Sequence, residues 1–418
     1  VRRLVIVGAS LAGLRAAQAA RRAGHDGPLT VVGAEEHLPY TRPPLSKEIL
    51  AGEQEPESCA LACDDLDVEW RLGTEATALD PERRTLTLAD GEELPYDRLL
   101  IATGARAREW PGPGGDLDGL FVLRDFDDAL ALKEALAARP KLAVVGGGFV
   151  GCEVAASARK LGIEVTMIDV APQPMPALGP ELGARCAEMH RAHGVELRMG
   201  VGVEGFEGEG RLEAVRLADG SRVEADAAVV ALGAVPNTEW LRGSGLELNP
   251  GVVCDATLAA KGAEDVFAAG DAAAWPHPMA DGEVVRIEHW TNAAEQGAHA
   301  ARNILCEAAE REPYEAVPYF WSDQYDTKIQ AAGLMARAER TVVLEADPDA
   351  GKLVAAGVRG GRVVAAVAFN APRRLVFYRR RLADRPTLEE LAAEVAQDER
   401  RLGDPEPAAL AAIEGAAA

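Results

Sequence analysis

VIVGASLAG, Val5 to Gly13, is an apolar, β-rich run that enters a glycine turn. Gly8 and Gly13 occupy the first and third glycine positions of a G-x-G-x-x-G pattern, and Ser10 takes the middle one. In such a turn the first glycine makes the bend, the middle one lets a pyrophosphate approach the backbone, and the third lets helix and strand pack closely. Serine is the smallest polar replacement, and its hydroxyl is able to bond a phosphate oxygen. Alone, the stretch leaves a purely structural turn open. A second copy decides the reading.

VVGGGFVG, Val144 to Gly151, carries the full pattern with Gly146, Gly148 and Gly151. At one constant offset Gly8 falls on Gly146, Gly13 on Gly151 and Gly24 on Gly162, and each copy continues through a helix of small residues into a second strand, LTVVG or VTMID. That is a βαβ unit. The repeat extends further: LADG at 88–91 recurs at 217–220, and ATGA at 102–105 matches ALGA at 231–234, again at a shared offset. Each Asp-Gly pair sits between extended segments and marks a hairpin. A chance glycine cluster would not bring the same hairpin behind it, so the chain holds two related nucleotide-binding domains.

A chain of 418 residues is long enough for two or three domains with cores of their own. Its six cysteines are too few and scattered for a disulfide framework, which points to a reducing compartment. No run of 18 apolar residues occurs and the chain begins directly on a strand, so a soluble, cytoplasmic protein is expected. The formal net charge of −23 argues against general affinity for nucleic acid or membranes. An acidic partner would need a local basic patch.

Composition sets the boundaries. REWPGPGGDLDG, Arg108 to Gly119, reads as a Pro/Gly linker between the two halves, and the chain returns after GAVPN (233–237) to DVFAAGDAA (265–273). Beyond Pro318 the pattern changes to strand pairs such as KLVAAGV and RVVAAVAF around Gly360-Gly361, then a helix from Thr387 with a capping box completed by Glu390. The expected division is 1–108 and 236–316 for the first nucleotide-binding domain, 109–235 for the second, and 317–418 for a C-terminal α+β domain whose last residues, AALAAIEGAAA, fray.

An acidic residue roughly 20 positions on should hold the adenine ribose. Glu35 fills that place in the first copy, with Glu36 as a surface alternative, and Asp169 fills it in the second. The residues after Asp169 include no arginine for a 2′-phosphate, and a carboxylate repels one, so the second site is expected to take NADH rather than NADPH.

PYTRPPLSKE (Pro39 to Glu48), FAAGD, RIEHWTNAAEQG and PYFWSDQYDTKIQAAG (318–333) together resemble the FAD- and NADH-dependent ferredoxin reductases, the putidaredoxin reductase-like and biphenyl dioxygenase ferredoxin reductase-like flavoproteins, across nearly the whole chain. The resemblance implies an α/β fold of two Rossmann-like three-layer nucleotide-binding domains, glutathione reductase-like, plus a C-terminal α+β domain. It implies FAD at Gly8, Ser10, Ala12, Gly13, Glu35, Arg42, Lys47, Ala76, Arg124, Asp271 and Trp290. The matching NADH set is Gly146, Gly148, Val150, Gly151, Glu153, Asp169, Gly233 and Glu288. Ala34 departs from the pattern, because many relatives place an aspartate there. Lys47 and Glu153 are implied as the catalytic pair: a lysine near the flavin stabilises the anionic reduced ring, and a carboxylate partner holds it and meets the nicotinamide amide. Read without the resemblance, they are a surface charge and an acid near a helix start.

Disulfide reductases and peroxidases of this superfamily need cysteine against the flavin, yet no cysteine precedes Cys59, and the later ones have no recognisable spacing or histidine for a metal set. Electrons therefore leave the flavin directly. The resemblance makes the acceptor a [2Fe-2S] ferredoxin serving a cytochrome P450 or an aromatic-ring dioxygenase. PRRLVFYRRRL (372–382) offers Arg373, Arg374, Arg379 and Arg380 to an acidic partner, with a solvated face or internal ion pairs as the alternative. Trp321 belongs either to that interface or to the core. The rival functions are an NADH oxidase-like flavoenzyme, a rubredoxin reductase, and an NADH-sensing flavoprotein resembling apoptosis-inducing factor.

Overall fold

The computed structural model describes residues 3–63 and 65–403, so the C-terminal AALAAIEGAAA lies outside the described residues. Its helices are α1 (Leu11–Arg22), α2 (Phe126–Ala137), α3 (Phe149–Lys160), α4 (Pro180–Ala192), α5 (Trp290–Leu305), α6 (Pro372–Leu382) and α7 (Leu388–Gln397). None among the described residues is long and apolar enough to cross a membrane. The chain divides into two units: Val1–Thr41, Cys59–Arg106 and Val235–Pro318 form the first, and Arg42–Ser58, Ala107–Ala234 and Tyr319–Ala418 the second.

The first unit is built on a parallel sheet in the order Val266–Ala268, Arg98–Ile101, Leu4–Val7, Leu29–Val32, Glu69–Arg71. All four residues of the central strand, LVIV, are buried, as they must be in a parallel sheet covered on both faces. α1 and α5 pack through small residues: a Cβ on Gly297 would lie 2.2 Å from the Ala12 carbonyl oxygen.

The second unit repeats this plan. Its parallel sheet runs Glu196–Met199, Val165–Asp169, Leu142–Val145, Ala227–Val230, Leu120–Phe121. In both sheets the glycine-turn strand sits in the centre, flanked by the second strand of its βαβ unit and by a returning strand. The Asp-Gly hairpins also recur, with Gly91 at φ +87° and Gly220 at φ +83°. In each, the aspartate accepts the amide two residues on, Asp90 from Glu92 and Asp219 from Ser221, both at 2.9 Å.

The expected linker at 108–119 is firmly packed. Trp110 and Leu117 cover a core that includes Phe206, Leu212 and Val215, the Trp110 and Phe206 rings meet edge-on at 5.4 Å, and a Cβ at Gly114 would lie 2.2 Å from the Phe206 carbonyl oxygen. Its prolines and glycines serve a close backbone approach rather than looseness.

Residues 319–369 form an antiparallel sheet in the order Tyr319–Gln324, Thr327–Gly333, Arg362–Phe369, Lys352–Arg359, Arg340–Asp347. α7 starts at the expected capping box, with Thr387 accepting from the Glu390 amide and Glu390 from the Thr387 amide.

Candidate dinucleotide sites and a buried ion pair

In the first unit the Leu4–Val7 strand ends at Gly8, whose φ of +123° suits only glycine. A Cβ there would lie 2.0 Å from the Ala102 carbonyl oxygen, and one on Gly13 would lie 1.9 Å from the carbonyl oxygen of Gly8. Ser10 is the N-cap of α1, but its hydroxyl makes no capping bond and no acid stands in the first turn. A helix start with neither cap nor acid leaves its amides and positive dipole end to an anion. Glu35 is half-buried, just beyond the second strand, and accepts from the Tyr40 hydroxyl at 2.5 Å, whereas Glu36 is exposed.

Asp271 lies in the turn Gly270–Ala272, directly after the Val266–Ala268 strand. The Gly270 amide donates to the buried Gln296 at 2.9 Å, and Arg286 donates to the Asp271 carbonyl at 3.0 Å. Glu288 pairs with Arg286 at 2.6 Å. Trp290 opens α5 and donates its indole N–H to Thr41 at 3.1 Å. Beside it, burial lowers the pKa of His289 to about 4, against the opposing pull of Asp271. Ala76 begins the strand Ala76–Asp80.

In the second unit Gly146 has φ +110°. A Cβ there would lie 2.3 Å from the Ala231 carbonyl oxygen, and one on Gly151 would lie 1.9 Å from the Gly146 carbonyl oxygen. Gly148 is the N-cap of α3, again without a capping side chain or an acid in the first turn, and a Cβ there would meet nothing within 4 Å. Val150, in that first turn, is exposed. Asp169 ends its strand with one carboxylate oxygen on the Gly147 amide at 2.6 Å and the other on the Ala171 amide at 2.7 Å. Each oxygen keeps a lone pair for a hydroxyl donor. Gly233 has φ +85° and accepts from the Arg108 amide at 2.9 Å. By contrast α2 is closed by Asp125, whose side chain takes the Asp128 amide, and Asp127 and Asp128 in its first turn repel an anion.

The residue types fit a dinucleotide at each turn. The bends exclude a Cβ at their first and third glycines, leave the helix amides uncapped, and place a carboxylate at or just beyond the end of the second strand.

Lys47 and Glu153 lie together in the second unit. Lys47 Nζ stands 2.7 Å from Glu153 Oε2, with side chains only 10% and 7% exposed. Ser46 Oγ donates to Glu153 Oε2 at 2.5 Å and Ser322 Oγ to Oε1 at 2.7 Å. Ser157, one turn along α3, donates to the Ser46 carbonyl at 2.7 Å and fixes the PPLSK turn on that helix. Removing one partner of such a pair costs roughly 3–5 kcal/mol, whereas an apolar replacement of both is often neutral, so the pair is better explained by position than by stability. In the same unit Arg42 donates to the Arg124 carbonyl at 2.7 Å, and the Arg124 amide donates to Asp128 at 2.8 Å. Burial first, then the nearby Asp125 charge, raises the pKa of Asp128.

One docking expectation is corrected. Arg374 is buried, held by Glu345, which has no exposed side-chain surface, and by Asp398, each at 2.7 Å. It stands on the inner face of α6, so it is unavailable to a partner. Arg373 and Arg380 are exposed, with Val376, 53% exposed, between them in sequence. The guanidinium of Arg379 lies 5.2 Å over the Tyr319 ring, and Tyr319 stacks on the half-buried Trp321 at 6.2 Å. Burial pushes the Cys254 thiol up to about 12 and the Cys152 thiol well above its ordinary value, so neither is a ready thiolate.

The sequence reading missed Ser46, Ser322, Gln324 and His190. In FWSDQ the sequence singles out Trp321 and the family motif, whereas Ser322 and Gln324, two apart on a strand, share the face opposite Trp321. That period was available as a signal.

Residues 2–297 match the family described as pyridine nucleotide-disulphide oxidoreductase, and residues 319–404 match the reductase C-terminal domain. Rhodocoxin reductase of Rhodococcus erythropolis is 37% identical over 398 residues, covering 94% of this chain and 92% of the relative. The biphenyl dioxygenase system ferredoxin–NAD(+) reductase component of Paraburkholderia xenovorans is 40% identical over 381 residues, covering 88% and 90%. Among solved structures, the covalent putidaredoxin reductase–putidaredoxin complex superposes with a TM-score of 0.88 at 33% identity, covering 95% of this chain and 96% of that one. With the duplicated glycine-turn sheets and the C-terminal domain all accounted for, the chain belongs to the pyridine nucleotide-disulphide oxidoreductase family.

Proposed function

We infer that this protein is an FAD-containing, NADH-dependent ferredoxin reductase. The observation that carries the reading is the pair of matched glycine turns, each with an uncapped helix start and a carboxylate at or just past its second strand. Bound flavin accepts a hydride from a nicotinamide and gives its electrons up singly, which matches a two-electron donor to a one-electron acceptor.

In the first unit Gly8, Ser10, Ala12, Gly13, Glu35, Ala76, Asp271 and Trp290 are assigned to FAD, and Glu288 to NADH. In the second, Arg42, Lys47 and Arg124 are assigned to FAD, and Gly146, Gly148, Val150, Gly151, Glu153, Asp169 and Gly233 to NADH. Asp169 selects the unphosphorylated ribose. Glu153 holds the Lys47 ammonium at a fixed place while both stay shielded from water, where a charge acts with least screening. Residues 1–108 with 236–316 form the FAD-binding domain, 109–235 the NAD-binding domain and 317–418 the C-terminal domain.

The acceptor is a [2Fe-2S] ferredoxin that feeds a cytochrome P450 or a ring-hydroxylating dioxygenase. Buried thiols of raised pKa support a direct exit of electrons without a sulfur relay. Arg373, Arg379 and Arg380 of α6, with Trp321, form the docking face for the acidic carrier, and the setting is cytoplasmic.

The test is stopped-flow reduction of the purified yellow protein by NADH, then reoxidation with ferredoxins. NADH should reduce it in preference to NADPH, and ferredoxin should reoxidise it faster than oxygen does. A colourless protein that takes up no flavin would overturn the reading. Trp321→Ala should reduce ferredoxin-linked cytochrome c reduction far more than ferricyanide reduction; equal losses would remove Trp321 from the interface.

A further inference from the structure

Glu153 receives more than its ion pair. Ser322 Oγ donates to Glu153 Oε1 at 2.7 Å and itself receives the Gln324 amide nitrogen at 3.0 Å. The Gln324 carbonyl oxygen faces His190 Nε2 at 3.1 Å, and His190 Nδ1 faces the Tyr325 hydroxyl at 2.9 Å. Ser322, Gln324, His190 and Glu153 are all buried.

Chemistry fixes the direction of this file. A carboxylate paired with an ammonium only accepts, so the single proton of Ser322 goes to Glu153. Ser322 must then receive, and only the NH₂ side of Gln324 can give. Its oxygen is left for His190, whose Nε2 therefore carries the proton, and Nδ1 accepts from Tyr325. Every bond points the same way and ends on Glu153. Burial keeps His190 in the neutral form this needs.

The far end is held at a cost. Tyr325 has φ +56°, a left-handed conformation that a bulky L-residue rarely adopts. Its ring stacks on His193 at 3.6 Å, the two planes nearly parallel at 8°. The tight Gln324–Thr327 turn thus keeps Tyr325 where its hydroxyl reaches His190.

We propose that Ser322, Gln324 and His190 are positioning residues for the Lys47–Glu153 pair, a one-way file of donors that sets the direction of the Glu153 carboxylate and, through it, of the Lys47 ammonium. The proposal rests on the reading that this pair serves hydride transfer from NADH to the flavin.

The test uses the flavin-loaded full chain as Ser322→Ala and Ser322→Thr, with Lys47→Met and Glu153→Gln as references. Ser322→Ala should slow anaerobic flavin reduction at saturating NADH about tenfold, a size expected of a misplaced catalytic group. It should leave the NADH dissociation constant within about twofold, weaken the long-wavelength absorbance that develops on adding NADH, and recover both properties in Ser322→Thr. If Ser322→Ala does not fold with flavin, Gln324→Met, which removes the donor to Ser322, is judged by the same criteria. A Ser322→Ala protein as fast as the parent, or a Thr variant as impaired as Ala, overturns the proposal. If the two references slow reduction and Ser322→Ala does not, the proposal alone fails. If the references leave reduction unchanged, the role of the pair fails and the proposal with it.

Discussion

The turn at Gly8–Gly13 and the turn at Gly146–Gly151 share one backbone plan, but they differ at the middle position and in what their carboxylates hold. A Cβ on Gly13 or Gly151 would lie 1.9 Å from a carbonyl oxygen, whereas one on Gly148 would touch nothing within 4 Å, and Ser10 occupies the matching place without strain. The outer glycines are thus demanded by the fold, and the middle residue is left to the ligand. Asp169 ties two amides of its own loops, while Glu35 meets the Tyr40 hydroxyl. The second turn is therefore braced by its own acid, whereas the acid that follows the first is engaged by a hydroxyl of the next loop.

Gly13→Ala and Gly151→Ala should each cost on the order of 3 kcal/mol, as overpacking against a fixed carbonyl does. Thermal unfolding should show losses of similar size for both, with flavin content falling for Gly13→Ala alone. If Gly151→Ala melts with the parent, the steric argument fails.

Each unit also holds a histidine whose pKa burial lowers to about 4, the half-buried His289 in the first and the fully buried His190 in the second. A base whose folded pKa lies below its unfolded value leaves the unfolded chain holding more protons, so stability is lost as pH falls from about 6.5 towards 4. The shift is worth on the order of 3 kcal/mol per histidine across that window. Denaturant unfolding at pH 7 and pH 5 should show the loss, and His190→Asn should flatten the slope. A slope unchanged by that substitution would mean His190 has the same pKa folded as unfolded.

Asp169→Ser should lower kcat/KM for NADH by about tenfold, the value of one to two lost hydrogen bonds, and narrow the preference over NADPH. Because Asp169 also braces its loop, a fall in melting temperature should accompany it. An unchanged cofactor preference would separate the bracing role from recognition.

The smallest effects sharpen the contrast at the middle position. Ser10→Gly and Gly148→Ala should leave melting unchanged. Gly148→Ala should raise the KM for NADH only a few-fold by crowding the phosphate approach. A Ser10→Gly protein that binds FAD much more weakly would show that the hydroxyl contributes a phosphate bond.

The duplicated βαβ plan, the hairpins behind it, the acids that follow each glycine turn and the capped start of α7 are legible in the chain alone, because those signals are local: glycine spacing, strand period and capping chemistry act within a few residues. Long-range packing alone turns Arg374 inward to Glu345 while Arg373 and Arg380 face out, packs the Pro/Gly segment at Trp110, and brings Ser46 and Ser322 onto Glu153 with Gln324 behind Ser322. These are contacts between segments far apart in the chain. Which of several arginines or serines ends up buried depends on how helices and strands pack, and no spacing along the chain encodes that.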